Sequence, residues 1–183
     1  MKVIVRFFLI TAVSLVLLAY PWTNLSFAKT KKGGPDEGMV WCTDKTLNVG
    51  YLCRADYDTQ LENGRLVTTL SKEPSVAFKV EKTQLKLGFL SQISKNYLED
   101  SGLYADGFAE EHVRIAGRET LYVKAYGRQN ENLRLADYYL INHLELYHLS
   151  FSIEPKDQWD NYKFMVKKIA ESFYFMETKD VKH

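Results

Sequence analysis

Residues 136–175 read ADYYLINHLELYHLSFSIEPKDQWDNYKFMVKKIAESFYF and decide the fold of the chain. Between Leu146 and Ile153, apolar or aromatic side chains alternate with a second set, which is the period of a β-strand with two different faces. We expect the first set to face the main core. Its members are Tyr147, Leu149, Phe151 and Ile153, and the opposite set is Leu146, His148, Ser150 and Ser152.

A second strand and a helix flank this one. Asp137–Ile141 is a β-prone run, and Asn142-His143 supplies the polar turn that joins the two strands. Pro155 ends the second strand, because proline has no backbone N–H to donate to the ladder. Asp157 is the predicted N-cap of the helix that follows.

The predicted helix carries one apolar stripe, with side chains spaced by three and four residues. Burying such side chains stabilises a fold by about 1.5–3 kcal/mol each. The stripe is Trp159, Tyr162, Val166, Ile169 and Phe173, so the predicted structural core comprises Tyr147, Leu149, Phe151, Trp159, Val166, Ile169 and Phe173.

The same residues resemble the C-terminal half of the PsbP-like (PsbP/Mog) family. The resemblance rests on the strand Leu146–Leu149, on Trp159 and on the closing Glu171-Ser172-Phe173, and the run from Val113 to Tyr126 is similar to the preceding hairpin of the family. Members of the family are non-catalytic: photosystem II extrinsic subunits, nuclear-transport cofactors and exported bacterial proteins. The resemblance implies an exported bacterial member without enzymatic activity.

The fold class that follows is α/β of the α+β kind. We expect a curved antiparallel sheet of about six strands with helices packed on it, in a PsbP-like α/β/α sandwich. A single domain over residues 39–176 is long enough to bury a core. A disordered leader over residues 29–38 and a charged tail over residues 177–183 flank it.

Residues 1–28 have the pattern of a signal peptide. Lys2 and Arg6 form the charged start, residues 7–20 are apolar, and Ser26-Phe27-Ala28 is a small-x-small cleavage site. The apolar run is shorter than the ~20 residues that span a membrane, although an uncleaved anchor is the alternative. We therefore expect a periplasmic or secreted protein that does not insert into the membrane after cleavage.

The charge of the chain argues against nucleic acid as a partner. The sequence has 24 basic and 23 acidic residues, and removal of the signal peptide takes away two basic residues and no acid. The mature chain is then close to neutral, with no excess of positive charge for phosphates to attract.

Cys42 and Cys53 are the two cysteines of the chain. In an exported protein they are expected to form a disulfide, and closing a loop of this size stabilises by ~3 kcal/mol in the chain-entropy model. Their spacing matches neither a zinc signature nor Cys-x-x-Cys. Free thiols and a reactive pair are the alternatives.

Several further elements are predicted from turn and stripe signals. Asn63-Gly64 marks one hairpin turn and Ala116-Gly117-Arg118 another. An amphipathic helix is expected from Gln84 to Asp100, with Thr83 as its cap and Gly102 as its stop. Residues 127–133 are expected to form a polar loop.

No catalytic set, cofactor or metal site is predicted. His143 and Glu145 are the candidates for a metal, but His148 would point to the opposite face of the strand and spoil a three-ligand site. His148 and Ser150 share a face, yet no acid stands at a recognisable position to orient the imidazole. Asp56 and Asp58 are interpreted as a solvated turn.

The candidates for an interaction surface are Tyr122, Tyr126, Arg128 and Tyr138. Tyrosines anchor interfaces because they offer a large area with a polar tip, although they also fill the boundary of a sheet packed under helices. The predicted function is an exported, non-enzymatic module that contacts a protein partner in the cell envelope, for its assembly or maintenance. A periplasmic carrier of a small apolar ligand, held between sheet and helix 84–100, is the alternative. A metal-dependent enzyme around His143 and Glu145 is the third hypothesis.

The targeting prediction can be checked by mass. The protein recovered from its native host should begin at Lys29 and weigh two hydrogen atoms less than the dithiol form. Intact-mass spectrometry with and without reduction measures both quantities. An intact Met1 would contradict cleavage, and thiols that alkylate without reduction would contradict the disulfide.

Overall fold

The computed structural model describes residues 38–85, 90, 93, 98 and 100–176. These residues belong to a unit that spans Pro35–His183. The predicted signal peptide, nearly all of the leader and all of the tail lie outside the described residues, as does most of the predicted helix 84–100, so those assignments stay predictions.

Most of the described backbone forms two antiparallel sheets. The larger has seven strands in the order β3-β4-β5-β9-β8-β7-β6, and the smaller has the order β1-β2-β10. The strands are β1 (Met39–Asp44), β2 (Val49–Arg54), β3 (Asp58–Glu62), β4 (Arg65–Ser71), β5 (Ser75–Gln84), β6 (Ala109–Ile115), β7 (Arg118–Gly127), β8 (Asn130–Asn142), β9 (Glu145–Glu154) and β10 (Tyr174–Phe175). A 3₁₀ turn (Lys156–Gln158) leads into the helix α1 (Trp159–Ser172).

The first core lies between one face of the large sheet and the layer formed by α1 and the small sheet. Phe78 and Phe151 stack with ring centroids 4.4 Å apart, and Val166, Ile169 and Phe173 are buried with them. Tyr147, Leu149 and Phe151 all belong to this core, whereas Trp159 is half-buried at its margin. The alternation along β9 therefore separates core residues from the opposite face as predicted.

The small sheet includes β10, the short strand that follows α1. Cys42 and Cys53 form the predicted disulfide between β1 and β2, with Cα atoms 5.9 Å apart. Tyr174 of β10 pairs with Gly50, and a Cβ at position 50 would lie 2.4 Å from the Tyr174 ring. Glycine is therefore required at position 50, because a side chain there would displace the tyrosine.

The second face of the large sheet is covered as well. Tyr104, Leu121 and Tyr139 form a second core, to which Ile93 and Leu98 add buried side chains from the connection between β5 and β6. The predicted α+β fold is confirmed, with seven strands in the main sheet where about six were expected. None of the described helices is long and apolar enough to cross a membrane.

Two predicted helix caps are wrong. Asp157 lies inside the 3₁₀ turn, and α1 begins at Trp159 after Gln158, which makes no side-chain cap hydrogen bond. The helical turn starts immediately after Pro155, which is the extended N-cap residue and whose carbonyl accepts the N–H of Gln158. Thr83 belongs to β5, because its partner β9 continues far enough to pair with it at Leu146.

The polar loop predicted over residues 127–133 is also wrong. Gly127 pairs with Asn130, so only Arg128 and Gln129 form the turn between β7 and β8. The Asn130 Nδ2 atom donates to Glu154 Oε1 at 2.9 Å. Polar side chains at the exposed end of a strand have the composition of a loop, which is why the sequence pattern misled.

Phe173 provides a test of the docking of α1. Phe173→Ala should destabilise the protein by about 3–5 kcal/mol, because it removes a buried aromatic ring from the first core. Phe164→Ala is the matched control, since that ring is 74% exposed and its loss should cost no more than about 0.5 kcal/mol. Urea unfolding of both variants measures the difference. Equal effects would contradict the described packing of α1.

Candidate functional site

A row of polar and aromatic side chains crosses the second face of the large sheet. Glu81 of β5 pairs with His148 of β9, and His148 in turn pairs with Tyr139 of β8. Side chains alternate along each strand, so these three project to the face opposite the first core. The same alternation brings Asp137, two residues before Tyr139, and Ser150, two residues after His148, to that face.

His148 is the centre of a buried charge network. Its Nε2 atom lies 2.9 Å from Asp137 Oδ1, and its Nδ1 atom lies 3.0 Å from Glu81 Oε1. The Tyr139 ring stacks on the imidazole at 4.4 Å with the planes 10° apart. Arg65 Nε lies 2.5 Å from Glu81 Oε2, so the network runs from Asp137 through His148 and Glu81 to Arg65.

The two carboxylates decide the charge of the imidazole. Burial by itself lowers the pKa of His148, which is only 8% exposed, but the charges and hydrogen bonds of Asp137 and Glu81 outweigh it and raise the pKa to about 9. The hydrogen bond from His148 lowers the pKa of Glu81 in return, although burial of that carboxyl opposes the shift. His148 is therefore a cation at neutral pH, with both ring N–H groups donating.

This arrangement limits the chemistry of His148. A doubly protonated imidazole has no free lone pair, so it does not accept a proton from a neighbouring hydroxyl such as that of Ser150. The inner side of the network is closed by Tyr104, whose hydroxyl is hydrogen-bonded to that of Tyr139. Burial raises the pKa of Tyr104 far above its ordinary value, and the charge of Asp137 adds to the effect.

A cleft of about 550 Å³ lies over this network. Its floor is formed by strands β4, β5 and β9, and its walls by residues 101–103 and by the turn between β7 and β8. Polar and charged side chains dominate the floor. They are Arg65, Lys79, Glu81, His148, Ser150 and Ser152.

Arg128 stands in one wall of the cleft with its side chain held in place. Its Nε atom donates to the carbonyl oxygen of Tyr104 at 2.9 Å, and its backbone N–H donates to that of Leu103 at 3.2 Å. The first contact orients the guanidinium group against the wall, and the second holds the backbone of Arg128.

A second surface lies on the side of the sheet that carries α1. We call Tyr126, Arg134, Lys156 and Trp159 the aromatic–cation patch. The Arg134 guanidinium carbon lies 5.0 Å from the Tyr126 ring centroid and 5.4 Å from that of Trp159, and Lys156 Nζ lies 5.0 Å from the Tyr126 centroid. Two cations thus share one exposed tyrosine, as cation–π geometry allows.

Of the four residues predicted to form an interaction surface, two are exposed, one is half-buried and one is buried. Tyr126 is 41% exposed and Arg128 is exposed. Tyr122 is half-buried and stacks on Tyr138 at 4.5 Å. Tyr138 is 6% exposed and packs in the first core, so its assignment to the surface is wrong, since a central strand of a covered sheet is buried on both faces.

The metal candidates do not converge. His143 is exposed in the turn between β8 and β9 with φ of 59°, and Glu145 is paired with Lys82 at 3.0 Å. His148 projects to the other face of β9, where it is bound by its two carboxylates. The described part of the chain contains no group of three or more His, Cys, Asp or Glu residues that could hold a metal ion.

Sequence reasoning missed the two acids beside His148. Asp137 lies in β8, diagonally across from His148, and Glu81 comes from β5, which is distant in sequence. Two acids do orient the imidazole, from positions that no sequence motif marks. An available signal was the charge of Asp137 within the apolar run Ala136–Ile141, because a lone carboxylate in a buried strand requires a partner.

The fold has counterparts among solved structures. Cyanobacterial PsbP from Synechocystis aligns with a TM-score of 0.53 and 14% identity, over 75% of this chain and 92% of the other. The Ran-binding protein Mog1p of Saccharomyces cerevisiae aligns with a TM-score of 0.53 and 6% identity, over 76% and 96%. A Pseudomonas aeruginosa protein of unknown function gives 0.53 and 11%, over 76% and 99%.

The chain has a PsbP/Mog-like fold. The likeness covers three quarters of the chain at low identity, so it shows architecture and carries no site residues with it. No protein-family model and no curated protein sequence matches the chain. The function of this PsbP/Mog-like chain must therefore be inferred from its own surfaces.

The charge network predicts an alkaline loss of stability. Because the folded pKa of His148 is raised from 6.5 to about 9, its contribution is complete below about pH 6.5 and disappears as the pH rises through about 9. The loss should be on the order of 3 kcal/mol. Urea unfolding from neutral to alkaline pH measures it.

The matched variants are His148→Gln and His112→Gln. The first should abolish this part of the pH dependence, whereas the second, at an exposed histidine of the edge strand β6, should retain it. Tyrosines and lysines also titrate at alkaline pH, so the informative quantity is the difference between the wild type and His148→Gln. Parallel curves for those two proteins would contradict a charged His148.

Proposed function

We propose that the chain is an exported, non-enzymatic binding module that contacts a protein partner in the cell envelope, in an assembly or maintenance role. The aromatic–cation patch is the observation that carries the proposal. The signal-peptide pattern and the disulfide support the location, because disulfides persist in oxidising compartments. Mog1p, a Ran-binding protein, is a precedent for protein binding on this fold.

The composition of the patch favours a protein interface. Tyrosine, tryptophan and arginine are enriched among the residues that dominate binding energy, because each offers a large area with a polar or charged group. Tyr126 is exposed, and Trp159 and Arg134 are half-buried, so their positions are fixed before a partner arrives. Fixed side chains lose less entropy on binding.

The charge of the patch indicates the kind of partner. Within the described residues, neither Arg134 nor Lys156 forms an ion pair. A carboxylate from a partner would pair with these two cations through charge-assisted hydrogen bonds. The partner surface is therefore an acidic segment.

The environment of His148 supports a non-enzymatic role. Both ring nitrogens of His148 are engaged by carboxylates, so the imidazole is held as a cation and has no free nitrogen to act as a general base. The floor of the described cleft is charged and hydroxylated, which favours a polar ligand over an apolar one. Ile93, Leu98 and Tyr104 are buried side chains of the second core.

Site-specific crosslinking in the native host tests the proposal. A photo-crosslinking amino acid at position 126 should give a discrete protein adduct, because Tyr126 lies at the centre of the patch. Position 61 is the control, since Leu61 is 51% exposed but lies on the edge strand β3 at the far side of the sheet. Adducts are detected by immunoblot and identified by mass spectrometry.

Arg134→Met should remove the adduct at position 126, because it deletes the charge that recognises the acidic segment while keeping much of the side-chain volume. Raised salt should weaken it as well. No adduct at position 126, or the same adducts from positions 61 and 126, would contradict the proposal. So would an adduct that Arg134→Met leaves unchanged.

A further inference from the structure

We infer that the cleft over His148 is a binding site for a small ligand with an anionic oxyacid group, a carboxylate or a phosphate. The site lies on the face of the sheet opposite the aromatic–cation patch and uses different residues. It therefore stands independently of the protein partner proposed above.

The charges around the cleft are the first reason. The network Asp137–His148–Glu81–Arg65 contains two carboxylates and two cations, so it is neutral as a whole. Among the described residues, Glu81 is the one carboxylate that lines the cleft, and it is already paired on both oxygens. Lys79 and Arg128 remain, and neither forms an ion pair within the described part of the chain. The described lining of the cleft therefore has a net positive charge.

The positions of the donors are the second reason. Lys79 pairs directly with Ser150 across the ladder between β5 and β9, so their side chains are neighbours on the floor. Ser152 lies two residues further along β9 on the same face. An oxyanion seated there meets an ammonium group and hydroxyl donors together, which is the chemistry that carboxylates and phosphates require.

The fixed arginine is the third reason. Tyr104 occupies the Arg128 Nε donor at 2.9 Å, which leaves the two terminal nitrogen atoms of the guanidinium available at the wall of the cleft. An arginine that is already oriented loses little freedom when it binds an oxyanion, and its planar donors suit carboxylate and phosphate oxygens.

The volume of the cleft indicates the size of the ligand. A volume of about 550 Å³ is in the range of small-molecule sites, which run from roughly 300 to 1,000 Å³. Leu133 and Leu135 supply an apolar side to the cleft, so an organic anion has a surface for its carbon skeleton. A small organic acid or phosphate ester fits these features better than a bare ion.

Titration of the full mature protein with defined probes tests the inference. The probes are succinate, inorganic phosphate, and succinamide as the uncharged counterpart of succinate. Binding is followed by NMR chemical-shift changes at moderate salt, which detects weak complexes and locates them. Succinate or phosphate should shift resonances of residues 79, 128 and 150, and succinamide should not. The tighter of the two anions identifies the class of oxyacid.

Three variants assign the effect to the cleft. Lys79→Met and Arg128→Met should each weaken binding about tenfold or more, the loss expected when one charged hydrogen bond is removed. Lys45→Met is the matched control, because Lys45 is exposed in the turn between β1 and β2 and should leave affinity unchanged. The melting temperature of each free variant verifies that it is folded.

The possible results distinguish a specific site in the cleft from nonspecific anion binding. Binding that depends on Lys79 and Arg128 but not on Lys45 supports the site, whether or not Tyr126 crosslinks to a protein. Absence of binding by both anions would overturn it. Equal losses in all three variants would also overturn it, because that pattern indicates an adventitious ion only.

Discussion

Strand β9 is buried on both faces, and this burial constrains the side chains and the register of the strands beside it. One face of this strand is apolar and aromatic and fills the first core, while the other carries His148 beneath the second layer. A strand buried on both sides usually reads as continuously apolar. Here a charged side chain occupies a buried position, so the neighbouring strands must bring compensating charge to it.

That requirement fixes the register of the central strands. Glu81 reaches His148 because β5 pairs with β9 at that position, and Asp137 reaches it diagonally from β8. A slip of one residue would move every side chain to the opposite face and leave buried charges without partners. The network is neutral as a set, which makes its burial tolerable, although an apolar replacement of similar shape could be as stable.

The two surfaces to which we assign binding meet at the end of β7. The register shifts between Tyr126 and Gly127, after which Tyr126 belongs to the aromatic–cation patch and Arg128 to the wall of the cleft. A Cβ at position 127 would lie 3.1 Å from Asn130 O and from Leu133 Cδ2, so the tight return of the chain favours glycine. A short turn thus places cations on both faces of one sheet.

Features that depend on local period and turn chemistry could be predicted from the amino-acid sequence. Each of these features is a relation between residues that are close in the chain. They are the alternation along residues 146–153, the stripe of α1, the Asn63-Gly64 turn and the pairing of Cys42 with Cys53. The residues of the His148 network and of the cleft come together through tertiary contacts. Glu81 and His148 are 67 residues apart, and Arg128 and Lys79 share a cleft only after β5 has paired with β9. Contacts across a sheet depend on strand order and register, which no local pattern of one sequence specifies.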